Sequence, residues 1–126
     1  MNKELFEKGL RTRREVVGDS YVDASLKAAD DFTMPMQELV TEFCWGEVWS
    51  RPGLDRRSRS ILNLGMIAAL NRPDEFAVHV RGAVTNGLTA QEIQECLLQI
   101  AVYVGMPAGL GSFRIARQVL KEMGKI

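Results

Sequence analysis

One histidine, His79, occurs in these 126 residues. Imidazole is the one side chain whose ordinary pKa lies close to neutrality, so His79 can give or take a proton at physiological pH. Glu75 precedes it by one helical turn, and Phe76 and Ala83 fall on the same side of a helix. That spacing equally fits a half-buried histidine satisfied by a neighbouring carboxylate, and the pattern leaves the two roles open. A lone histidine cannot build a histidine-rich metal site, and no tight spacing of ligands supports a mixed one, so no metal is expected.

Two other groupings could do chemistry. In Glu42-Phe43-Cys44-Trp45-Gly46-Glu47-Val48-Trp49-Ser50-Arg51 both tryptophans of the protein stand four residues apart, with Glu42 three before the first. On a helix these share a face; aromatic pairs at that spacing pack cores, but carboxylates among indoles also suit a pocket with shifted pKa values. Arg51, Arg56, Arg57, Arg59, Arg72 and Arg81 form the second grouping. Arg56 and Arg59 share a face near the start of a helix, an end that favours anions, and guanidinium binds carboxylates through two parallel hydrogen bonds. Taken singly, each arginine fits a solvated charge paired with Asp55, Asp74 or Glu75. The glycines of Gly105-Met106-Pro107-Ala108-Gly109-Leu110-Gly111 match no nucleotide fingerprint, and Cys44 and Cys96 lack a partner pattern for a nucleophilic thiol.

The elements that must position these groups read as helix after helix, with Gly and Pro between them and no strand–turn–strand pattern. An all-α domain of six to seven helices is expected, a single domain over 1–126. Helices are expected over Asn2–Val17, Asp19–Asp30, Met34–Trp49, Leu54–Asn71, Pro73–Asn86 and Ala90–Val104, with Gly105-Met106-Pro107 separating the last of these from a final helix that ends near Met123. Leu54–Asn71 is so apolar that burial on most sides is expected. Thr89-Ala90-Gln91-Glu92 is a capping box. Lys+Arg and Asp+Glu are balanced at 16 each, which argues against nucleic acid or an anionic membrane as partner. Apolar stretches are too short to span a bilayer. With two unpaired cysteines and a charged start, a cytoplasmic protein with reduced thiols is expected. The apolar helix content exceeds what a chain this short can bury alone, which points to a subunit interface.

Trp45-Gly46-Glu47-Val48-Trp49, Arg51-Pro52-Gly53-Leu54-Asp55-Arg56-Arg57-Ser58-Arg59, His79-Val80-Arg81-Gly82-Ala83, Asn86-Gly87 and Ala101-Val102-Tyr103-Val104-Gly105-Met106-Pro107 together resemble the carboxymuconolactone decarboxylase family, in order, from about Gly9 to Leu120. The resemblance implies an alkylhydroperoxidase D-like helical fold and a homo-oligomer, a trimer or hexamer. Peroxidases of that wider group are recognised by C-x-x-C-x-x-x-H with an upstream glutamate. With that histidine on His79, Arg72 and Glu75 stand in place of the cysteines and Ser60 at the glutamate, so dithiol peroxide chemistry is not available. The implied activity is loss of CO2 from 4-carboxymuconolactone, a dicarboxylate lactone of protocatechuate breakdown in the beta-ketoadipate pathway of aromatic catabolism, giving 3-oxoadipate enol-lactone. No cofactor is implied, because the substrate's conjugated lactone takes up the electrons that CO2 leaves behind. The roles that follow are His79 as proton donor or donor to the dienolate oxygen, and Glu42 or Glu47 orienting or reprotonating it. Arg51 and Arg56 would bind carboxylates with Arg59 and Arg81 behind them, and Trp45 and Trp49 would exclude water. The alternatives are a related enzyme of the same fold acting on another small carbonyl or peroxide compound, and a non-catalytic helical binding module.

Overall fold

The computed structural model describes residues 1–126, which divide into two compact units, 1–55 and 56–126. Every regular element is helical. The first unit begins with α1 (Lys3–Val17), started by the Asn2 side chain, which accepts a hydrogen bond from the Leu5 N–H at 3.0 Å. Gly18 ends it at φ 92°, a backbone region that glycine enters without steric penalty. α2 (Asp19–Ala28) follows directly, then α3 (Met34–Leu39), which carries Pro35 in its first turn.

α3 does not run on as the expected α-helix to Trp49. From Val40 to Val48 the backbone widens into a π-helix, seen also in the Trp49 N–H bonding back to the Cys44 carbonyl at 2.9 Å. This segment crosses α1 at very short range, because Gly9 and Gly46 have no side chains. A Cβ on Gly9 would stand 1.8 Å from the Thr41 carbonyl oxygen, and one on Gly46 would stand 2.7 Å from that of Leu5. Backbones this close admit only glycine, which accounts for Gly46 between two large neighbours.

The second unit is four helices: α4 (Arg56–Leu70), α5 (Pro73–Thr85), α6 (Ala90–Tyr103) and α7 (Met106–Glu122). Asn71 at φ 55° and Pro73 turn the chain between α4 and α5, and Gly105 at φ 133° does so before α7. The capping box forms as expected, Thr89 Oγ1 accepting from the Glu92 N–H at 3.1 Å and Glu92 accepting from the Thr89 N–H at 3.0 Å. Leu64, Phe76, Val80, Ala83, Leu88, Ile93, Leu97, Ile100, Ala116, Val119 and Leu120 make one buried core. Burial of α4 on most sides is corrected: only Ser60 and Leu64 are fully covered, while Leu62 is 54% and Leu70 66% exposed. Within its unit α4 meets its neighbours through one stripe, and its remaining apolar residues lie at the surface.

Candidate functional site

The residues expected to act belong to both units: Glu42, Trp45, Glu47, Trp49 and Arg51 to the first, Arg56, Arg59, His79 and Arg81 to the second. In the first unit the widened π-helix keeps Trp45 and Trp49 on one side. Their rings stack with centroids 4.8 Å apart at 22°, and both are buried. Glu42 is buried as well, and its carboxylate accepts a hydrogen bond from the backbone N–H of Asn2, the residue that starts α1. A negative group there also suits the helix's positive end. Glu47 and Arg51 are exposed and form an i,i+4 pair at 3.8 Å.

Arg13, which the sequence reading did not single out, is 5% exposed in this unit. Its Nη1 donates to Gln37 Oε1 at 2.9 Å and Thr41 Oγ1 at 3.3 Å, and its guanidinium lies over the Tyr21 ring at 5.9 Å. Burial pulls its pKa below the ordinary arginine value. Burial also pushes the Cys44 thiol up, against the opposing effect of Arg13, so Cys44 is a protonated thiol rather than an activated nucleophile.

In the second unit, Arg56, Arg59, Ser60 and Asn63 fall at i, i+3, i+4 and i+7 of α4 and so share one stripe. Further along the helix that seam is apolar, with Leu64, Ile67 and Ala68 in or against the core. Its polar half meets polar groups of α5. Asn86 Nδ2 donates to Ser60 Oγ at 2.9 Å and to the Arg56 carbonyl at 3.3 Å, and Asn63 Nδ2 lies 3.4 Å from His79 Nδ1. The two contacts run in opposite directions along the helices, which fixes α4 and α5 antiparallel. Burial lowers the His79 pKa; Glu75 opposes it and is the smaller effect. The imidazole is therefore neutral at physiological pH, a state that can donate through one nitrogen while accepting through the other.

Arg81 is engaged elsewhere, in an ion pair with Glu122 of α7, and Arg57 pairs with Glu92. The acidic residues expected as their partners, Asp55, Asp74 and Glu75, are not the ones that take these two. Asn63 is the polar neighbour of His79 that the sequence did not reveal; its place at i+3 from Ser60 and i+7 from Arg56 was the available signal. A groove of about 510 Å³ between α6 and α7, over Ile93, Leu97, Phe113 and Leu120, includes neither His79 nor any of the expected arginines. No group of three or more His, Cys, Asp or Glu side chains is gathered where it could hold a metal ion.

Residues 35–118 match the carboxymuconolactone decarboxylase family. The chain is 42% identical over 123 residues to the nitrosuccinic acid decarboxylase of Metarhizium robertsii, covering 98% of this chain and 86% of that one. It is 38% identical over 123 residues to the 4-carboxymuconolactone decarboxylase of Acinetobacter baylyi, covering 98% and 92%. A 4-carboxymuconolactone decarboxylase sequence from Pseudomonas putida is 36% identical over 45 residues, 94% of its own length and 36% of this chain.

Proposed function

We propose, because this chain belongs to the carboxymuconolactone decarboxylase family, that it removes CO2 from 4-carboxymuconolactone without a cofactor to give 3-oxoadipate enol-lactone. The observation that carries the reading is a neutral histidine held by an amide beside an arginine-bearing stripe. It occurs in a chain 38% identical over almost its full length to a decarboxylase of that substrate. The departing carboxylate sits on the ring carbon next to the C=C bond that is conjugated to the lactone carbonyl. Breaking the C–C bond sends its electron pair through that C=C bond onto the carbonyl oxygen, giving a furan-like dienolate. A proton added at the carbon alpha to the carbonyl restores the lactone with its double bond moved.

The protein must hold a dianion, donate to the oxygen that gains charge and supply one proton. His79 donates its one N–H to the dienolate oxygen, and the proton added to carbon is drawn from solvent water through that nitrogen, which is refilled as it is spent so that the ring stays neutral. Arg56 and Arg59, on the polar stripe at the start of α4, hold the carboxylates, supported by the positive end of that helix. Arg81 is assigned a supporting positive charge, its guanidinium being ion-paired with Glu122. Arg51→Ala raises KM, Glu42→Gln and Glu47→Gln lower kcat, and truncating Trp45 or Trp49 lowers kcat through admitted water. The family match crosses from one unit into the other, which supports treating 1–126 as one functional domain.

The test is the purified protein with synthetic 4-carboxymuconolactone, following CO2 release and loss of the conjugated absorbance, with and without a chelator. Turnover unaffected by the chelator is the expected result; no turnover removes the substrate, and turnover abolished by the chelator removes the cofactor-free mechanism. The likeness to a nitrosuccinic acid decarboxylase favours one second reading. A nitro group beside the lost carboxylate takes up the electron pair as a nitronate, so the same donor and arginines would serve. Parallel assays on both acids separate the two.

The proposed form is a cytoplasmic homo-oligomer, a trimer or hexamer. Support comes from exposed apolar residues such as Leu62, Leu70, Val102 and Leu110, and from two free cysteines. No helix is long and apolar enough to cross a membrane.

A further inference from the structure

We propose that Asn63 is a positioning residue that fixes the tautomer of His79, donating its side-chain N–H to Nδ1 so that the ring proton resides on Nε2. The inference rests on the decarboxylase reading for its kinetic consequence but not for its structural content. Asn63 turns its Nδ2, a donor, towards His79 Nδ1 at 3.4 Å, and that contact is a hydrogen bond only when Nδ1 carries the lone pair. In a neutral ring the other nitrogen then carries the hydrogen. Protonating Nδ1 would set two N–H groups against each other, so the contact also disfavours the charged ring.

Two features make Asn63 more than a neighbour. It lies one residue before Leu64, which is fully buried, so its backbone is held by the core. And the α4–α5 register is set independently by Asn86 on Ser60, so removing the Asn63 amide leaves the helices in place. For the reaction, the Nε2–H is the hydrogen offered to the dienolate oxygen. With the other tautomer His79 would present a lone pair to a developing anion.

His79 is the only histidine, so protein labelled with 15N-histidine gives one imidazole and no assignment problem. In the substrate-free enzyme at neutral pH, Nδ1 should resonate as a bare acceptor nitrogen and Nε2 as an N–H. Asn63→Asp, which can only accept, should move the proton to Nδ1. Asn63→Leu should leave both tautomers populated. Both variants should keep KM near that of the parent while kcat falls on the order of 10- to 100-fold, the usual cost of losing an orienting partner. A protonated Nδ1 in the parent protein, or an Nε2–H tautomer unchanged in both variants, overturns the proposal. If the parent turns over no lactone, the proposed function falls while the imidazole spectrum still judges Asn63. An active enzyme with the reverse tautomer sinks Asn63 and spares the function.

Discussion

At the scale of single residues, the lowered pKa of His79 ties stability to pH with a definite sign. Burial disfavours the charged ring, so the unfolded chain binds a proton at a pH where the folded one does not. Stability should therefore be constant above the unfolded value of about 6.5. It should fall with acid until the folded value is reached and then level off as far as His79 is concerned. Urea titrations between pH 5 and 8 should show that slope in the parent protein and lose it in His79→Gln. His79→Ala should cut kcat by about 10² or more with its helical circular dichroism intact; near-parent turnover would remove the imidazole from the chemistry. His79 was legible in the sequence because it is unique and stands on a helix face. Asn63 was not, since an asparagine in a helix looks like any solvated amide until its neighbour is known. Nor was the pairing of Arg81 with a glutamate 41 positions away, because sequence spacing carries no information across that distance.

At the scale of elements, the breaks are readable because Gly18, Pro73, Gly105 and the capping box act locally, through backbone dihedrals and orphan N–H groups. The π-helix was hidden, since the same residues serve i+4 and i+5 bonding and only the close crossing with α1 selects between them. That crossing gives a paired prediction. Gly9→Ala drives a methyl into the Thr41 carbonyl and should destabilise the protein by at least about 1–3 kcal/mol. Gly65→Ala, inside α4 with nothing near its would-be Cβ, should stabilise it by up to about 1 kcal/mol. Thermal midpoints moving in opposite directions is the expected outcome; an unchanged midpoint in Gly9→Ala would deny the close approach. The apolar run of α4 suggests all-round burial that the structure does not show, because periodicity reports hydrophobicity and not what covers it.

At the scale of the whole molecule, exposed Leu62, Leu70, Val102 and Leu110 are the residues that the proposed homo-oligomer of this 14.1 kDa chain would cover. Sedimentation velocity should show a larger species. Leu62→Glu or Val102→Glu should shift it towards monomer without loss of helix, while an unchanged sedimentation coefficient in both would leave those faces unpartnered. Cys44 lies in the first unit and Cys96 in the second; neither is disulfide-bonded, and burial raises the pKa of each. Each half of the chain thus carries one half-buried sulfhydryl reporter. Partial cover and a raised pKa each slow alkylation relative to the unfolded chain, and opening of the surroundings removes that protection. Mass spectrometry of a timed iodoacetamide reaction at stepped urea concentrations would follow that protection separately at the two thiols of one unmodified protein, and whether it is lost at one concentration or two would say whether the halves open together or apart.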